Sequence, residues 1–210
     1  MLHSIKKKSC YFISFTVFIV VANLFLLMLG KKDSFLLLNT FHNKFLDQLF
    51  LSITFFGDGI LALLVCLFLF LFKRRKESLF LLISFSISSI LAQFLKNSFH
   101  RLRPVNFFQN YSYNKLIDGF TQSVYHSFPS GHTTTIFALA TMVVFFTKKR
   151  SYHILVLIVA ILVGYSRIYL GQHFLEDVIF GSIIGTSISL LIGSYFLKMN
   201  IQADRQVMAG

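Results

Sequence analysis

Apolar runs long enough to cross a bilayer recur along this chain and decide what it can fold into. A helix needs about 20 predominantly apolar residues to span the hydrocarbon core. Six stretches are candidates: residues 11–29, 59–72, 78–95, 132–147, 152–170 and 174–197. The expected fold is all-α, a polytopic membrane protein built as a bundle of six transmembrane helices. The second stretch is short. Residues 49–56 are also apolar, and Gly57-Asp58-Gly59 interrupts the run, so the span either begins earlier or follows a helix lying at the interface. Apolar residues make up 55% of the 210, and mean hydropathy is +0.70, more apolar surface than a soluble domain of this length carries. There is no internal repeat, linker or low-complexity tract, so residues 1–210 read as one domain.

Charge sets the topology. The net charge is +12, but the basic residues sit in short clusters between apolar runs. That arrangement suits membrane topology and anionic headgroups, not nucleic acid. Six spans place both termini on one side. That side holds Lys6, Lys7, Lys8, Lys73, Arg74, Arg75, Lys76, Lys148, Lys149, Arg150, Lys198 and Arg205, twelve in all, against eight on the other: Lys31, Lys32, Lys44, Lys96, Arg101, Arg103, Lys115 and Arg167. The side with the termini is cytoplasmic by the positive-inside rule. The first run is too long for a signal-peptide core and no small-residue cleavage site follows it, so it is expected to be a retained span. Cys10 and Cys66 both fall in apolar runs and read as small hydrophobes, not as a disulfide or a metal site.

Three segments fall at the outer ends of these spans. Lys96 to Arg103-Pro104 ends the third span. Pro129-Ser130-Gly131-His132 opens the fourth. Ser166-Arg167, His173 and Asp177 bridge the fifth and sixth. Span counting alone brings all three to the outer face. Lys96, Arg103 and Arg167 supply three cations suited to gripping phosphate oxygens. Ser130 and Gly131 sit where a helix begins, and free backbone N–H groups there favour an anion. His173 and Asp177 are four apart, so the carboxylate can fix the imidazole tautomer and leave the other ring nitrogen free to attack. His132 is then available to protonate a leaving group and to activate water. The cations would stabilise the transferring phosphoryl charge.

These residues resemble the type-2 phosphatidic acid phosphatase family, the lipid phosphate phosphatases. The family pattern is Lys, six residues, Arg-Pro; then Pro-Ser-Gly-His; then Ser-Arg, five residues, His, three residues, Asp. All of it is present here in order and at spacing, over residues 96–177. The resemblance implies a phosphohistidine intermediate on His173, with Asp177 as its orienting partner and His132 as general acid. It implies that Lys96, Arg103, Ser130, Gly131 and Arg167 bind phosphate, and that there is no metal cofactor.

The remaining polar residues are expected to serve structure. Asp58 reads as a turn or helix cap. Gly181 and Gly185 are spaced for close helix packing. Arg101 reads as solvated or facing headgroups, Glu176 as pointing away from the site, and His100 and His126 as loop histidines. His3, His42 and His153 read as interfacial. Phe99, Phe107, Phe108, Tyr111, Tyr113, Tyr125 and Phe128 in the outer connection read as an interfacial aromatic belt on a segment that covers something.

The leading function is hydrolysis of a lipid phosphate monoester or diphosphate: phosphatidate, phosphatidylglycerol phosphate, a polyprenyl diphosphate or a phosphorylated glycolipid of the lipid A type. A phosphotransferase passing the group from His173 to another lipid uses the same residues. A non-catalytic phospholipid-binding or transport protein would need the cations but not the His132, His173 and Asp177 set. Vanadate-dependent peroxidase chemistry shares the oxyanion cradle but belongs to soluble proteins. The expected partners are the bilayer and its phosphorylated lipid, with no signature of an oligomeric state. The expected location is a bacterial inner membrane, with the active site facing the periplasm or exterior.

Overall fold

The computed structural model describes residues 8–108 and 124–209, with side chains up to residue 202. His3, Lys6, Lys7, Tyr111, Tyr113, Lys115 and the Arg205 side chain lie outside the described residues. The chain forms α1 (Ser9–Leu38), α2 (Lys44–Thr54), a single 3-10 turn (Phe55–Gly57), α3 (Gly59–Leu71), α4 (Arg75–Phe99), a short α5 (Pro104–Phe107), α6 (Gly131–Phe146), α7 (Arg150–Tyr169) and α8 (Leu175–Ala209). No strand occurs among the described residues.

Four helices are long and apolar enough to cross a membrane: Ser9–Leu38, Arg75–Phe107, Arg150–Tyr169 and Leu175–Gln202. The predicted second span is a broken pair, Lys44–Gly57 and Gly59–Leu71, bent by 54°. The break has a local cause. Asp58 is extended and caps α3, its Oδ1 accepting from the Ile60 N–H at 2.8 Å. Asp58 is thus the helix cap that its flanking glycines suggest. The predicted end of the first span at residue 29 also has a physical mark. Gly30 takes φ +74°, a non-helical kink inside α1.

The predicted fourth span, α6, is a helix of sixteen residues, about 24 Å at 1.5 Å per residue, short of a full crossing. It is the centre of the bundle. Twelve of its residues are buried, and it packs against α4, α7 and α8. The α6–α8 contact depends on absent side chains. A Cβ on Gly181 would lie 2.7 Å from the Ser130 carbonyl, and one on Gly185 would strike the Thr134 carbonyl. The close packing expected of these glycines is therefore present, and it sets α8 directly against the start of α6. At the opposite end of α6, the buried Lys8 ammonium donates to the carbonyl of Val144 at 2.5 Å. His153, in the first turn of α7, is buried as well, with Nε2 3.1 Å from the Thr147 carbonyl.

Candidate active site

The third motif is two helix ends placed back to back. Gly171 has φ +65°, a conformation that glycine adopts freely. Its N–H donates to the Ile168 carbonyl, and the Gln172 N–H donates to the Arg167 carbonyl, each at 3.0 Å. This is the Schellman arrangement that closes α7. The His173 N–H also reaches the Arg167 carbonyl, at 3.2 Å. The five-residue spacing between Arg167 and His173 is thus the length of one helix-ending turn. Phe174 then opens α8, and Asp177, three residues on, accepts from its N–H at 2.8 Å. That bond is the acidic arm of a capping box. His173 therefore lies just ahead of α8 and not on its face, as the four-residue spacing had suggested. Its Nδ1 is 3.5 Å from Asp177 Oδ2, and both groups are buried.

Asp177 also ties the second motif to the third. Its backbone carbonyl accepts from the Ser130 N–H at 3.0 Å, and its Oδ2 accepts from the Ser127 hydroxyl at 2.5 Å. Ser130 caps α6, its Oγ accepting from the Thr133 hydroxyl at 2.9 Å. The first motif closes from the other side. The Lys96 ammonium is 3.6 Å from where a Gly131 Cβ would stand. The chain turns at His100, in the left-handed region, and residues 101–103 pair with residues 124–127: Arg103 N–H to the Val124 carbonyl at 3.1 Å, Ser127 N–H to the Arg101 carbonyl at 3.0 Å. The Arg103 guanidinium donates to the Gln172 side-chain oxygen, beside His173.

Residues 77–200 match the PAP2 superfamily, a stretch that contains all three motifs. The chain belongs to the PAP2 superfamily. It is accordingly a phosphoric ester hydrolase. It is 32% identical to the undecaprenyl-diphosphatase of Sulfolobus acidocaldarius, over 88% of this chain and 90% of that one. It is 30% identical to the lipid A 4'-phosphatase of Porphyromonas gingivalis, over 82% and 74%. The crystal structure of Aquifex aeolicus LpxE superposes with a TM-score of 0.66 at 28% identity, covering 77% of this chain and 93% of that one.

Within this PAP2 chain the sequence motifs leave out several residues that hold the site. Arg167 is 3% exposed, and one of its guanidinium nitrogens donates to Thr54 Oγ1 at 2.5 Å. Its buried Nε has no hydrogen-bond partner among the described residues. Thr54 ends α2, so the broken segment forms a wall of the site. Gly57 in the same break packs against His132, where a Cβ would come within 2.9 Å of the His132 Cβ. Asn39 donates to the carbonyls of Ile168 and Tyr169, pinning the end of α7. Thr54 and Asn39 are common residue types far from the motifs in sequence, and Ser127 and Gln172 lie beside or within them at positions the pattern leaves open.

The rim departs from expectation in two places. Glu176 bridges Lys31 at 2.7 Å and Arg101 at 2.9 Å, so neither Arg101 nor Glu176 is idle. The outer aromatics are not uniformly a belt. Phe174 packs against Phe35, Phe107 and Phe108, and Phe128 against Phe99 and Phe180. Phe108 and Phe128 are buried, while Tyr125 is half exposed. The buried rings fix the backbone on either side of His173 and of Ser130.

The surroundings of His173 favour its neutral form. Burial holds its pKa well below the usual imidazole value, and the charges of Arg103, Lys96 and Arg167 push the same way, against a smaller opposing effect of the Ser127 carbonyl. A neutral imidazole beside three cations has a free lone pair for attack and a field that favours an anionic substrate.

Proposed function

We propose that this protein is a metal-independent lipid phosphatase that acts through a phosphohistidine on His173. The observation that carries the reading is the meeting of three cations, Lys96, Arg103 and Arg167, at a buried neutral histidine backed by Asp177. Lys96, Arg103, Arg167 and the α6 N-terminus at Ser130 and Gly131 hold the phosphate oxygens. His173 attacks phosphorus, Asp177 compensates the charge that develops on the ring, and His132 gives a proton to the departing oxygen. His132 then takes a proton from water as that water attacks the phosphohistidine. This step releases phosphate and returns both histidines to their starting state.

The substrate is a phosphate monoester or diphosphate of a membrane lipid, in keeping with relatives named for lipid A and undecaprenyl diphosphate. The protein crosses a bacterial inner membrane six times with both termini in the cytoplasm, and the site faces the periplasm or exterior. The test is phosphate release from lipid phosphates by purified protein in detergent. His173→Ala should lower the rate by on the order of a thousandfold or more while the protein still inserts. Wild-type rates in that variant would sink the mechanism. Activity should persist in EDTA, and loss that a divalent ion restores would refute the metal-free reading.

A further inference from the structure

We infer that a cavity beside His132 receives the leaving group and selects phosphate monoesters of neutral, oxygen-bearing alcohols, of glycerol or sugar type, over polyprenyl diphosphates; this rests on the phosphatase reading above. The cavity holds about 170 Å³ between the break in the second span, α4 and α6. Lys96, Gly131 and His132 are among the residues that line it, whereas Arg103, Arg167 and His173 are not. It therefore lies on the His132 side of the phosphate site. Phosphoryl transfer keeps the attacking and leaving atoms roughly in line, so attack from His173 directs the leaving oxygen away from it. The atoms beyond that oxygen enter this cavity. It is smaller than the 300–1,000 Å³ that typically encloses a whole small ligand. It takes the first few atoms of the alcohol, and the rest of the lipid lies outside.

The lining gives the chemistry of those atoms. Ser89 and Gln93 project into it from α4, one helical turn apart, and Thr135 faces them from α6. The Gln93 amide continues to Asn97 at 2.9 Å, so a polar strip runs along α4 toward Lys96. Its neighbours Ile90 and Phe94 are exposed and apolar, as a lipid-facing helix requires. Polar side chains on such a helix are costly unless something polar meets them. Hydroxyl and ester oxygens next to the phosphate would do so, and an isoprenyl chain would not. Charge excludes the diphosphate. Lys96 and His132 are the basic groups of the lining, and on the phosphatase reading both serve the phosphate being transferred. A second phosphate would enter the cavity without a cation of its own.

The test compares kcat/KM for dioleoyl phosphatidate and farnesyl diphosphate in one detergent, with His173→Ala as the control. Wild type should prefer phosphatidate by about tenfold or more, well within the discrimination open to a site that hydrogen-bonds its substrate. The double variant Ser89→Ala, Gln93→Leu should bring the ratio toward one, mainly by raising KM for phosphatidate. Thr135→Val, which keeps the side-chain volume, should shift the ratio the same way and stands in if the double variant does not fold. A wild-type preference for the diphosphate, or a ratio that neither substitution moves, overturns the inference. His173-dependent release from both substrates without preference defeats the cavity assignment and leaves the phosphatase reading intact. No release from either defeats both.

Discussion

Arg167 illustrates how a buried cation is anchored by a neutral neighbour. Its side chain leaves water, one donor goes to Thr54, and the buried Nε has no partner among the described residues. A hydrogen bond to a charged group contributes about 1.5–3 kcal/mol. Thr54→Val keeps the shape and removes that bond. It should lower kcat/KM for a lipid phosphate about tenfold or more, and Thr54→Ser should restore most of it. A rate unchanged by valine would show that Arg167 needs no such anchor. His173 yields a second test. Its depressed pKa means that the acid limb of the kcat/KM profile, which reports the free enzyme, falls below the usual imidazole range near 6.5. Cations cause part of that depression, so removing one raises the pKa. Lys96→Met should move the acid limb toward higher pH while lowering the rate, and a limb that stays put would mean that His173 does not set it. Lys96, Arg103, His132, Arg167, His173 and Asp177 were legible because their chemistry is rare in a membrane and their spacing is strict. Thr54 and Ser127 were not, because a lone hydroxyl in the sequence carries no sign of a partner 113 or 50 residues away.

At the scale of the element, the motif spacings are helix-end geometry. Arg167 through Gly171 closes α7 by a Schellman turn, Phe174 through Asp177 opens α8 by a capping box, and His173 is the residue between them. The turn needs φ +65° at Gly171, where a Cβ costs about 1–2 kcal/mol. Gly171→Ala should therefore lower thermal stability in detergent modestly and kcat more, because the turn carries the histidine. A variant with reduced stability but full kcat would separate the turn from the chemistry. The sequence spacing placed His173 and Asp177 near each other, yet put both on one helix face. Boundaries within a residue or two of a cap are beyond what spacing can tell, and the histidine fell on the far side of one. The second span was ambiguous for a related reason. Gly57-Asp58-Gly59 reads equally as a flaw in one helix or a joint between two, and only packing against His132 and Arg167 selects the joint.

For the whole molecule, the centre is the short helix α6, buried on nearly every side and carrying the site at one end and a lysine clasp at the other. Six apolar stretches were legible from hydropathy, but their count as crossings depends on how α2 and α3 pair and on how far the sixteen residues of α6 reach. The proposed orientation rests on two features. Lys8 lies against the carbonyls at the end of α6 remote from Ser130, which sets the N-terminus on the side away from the site. The basic residues number twelve on that side and eight on the other, and three of the eight, Lys96, Arg103 and Arg167, are the proposed phosphate ligands. Setting those three aside leaves twelve against five, a bias that supports the proposed outward-facing site. Single cysteines test it once Cys10 and Cys66 are replaced. Tyr125→Cys, half exposed at the site face, should react with a membrane-impermeant maleimide added outside the inner membrane. Lys76→Cys, exposed at the start of α4, should react only after the membrane is opened. The reverse pattern would place the active site in the cytoplasm, and the enzyme would then meet only lipid phosphates of the inner leaflet.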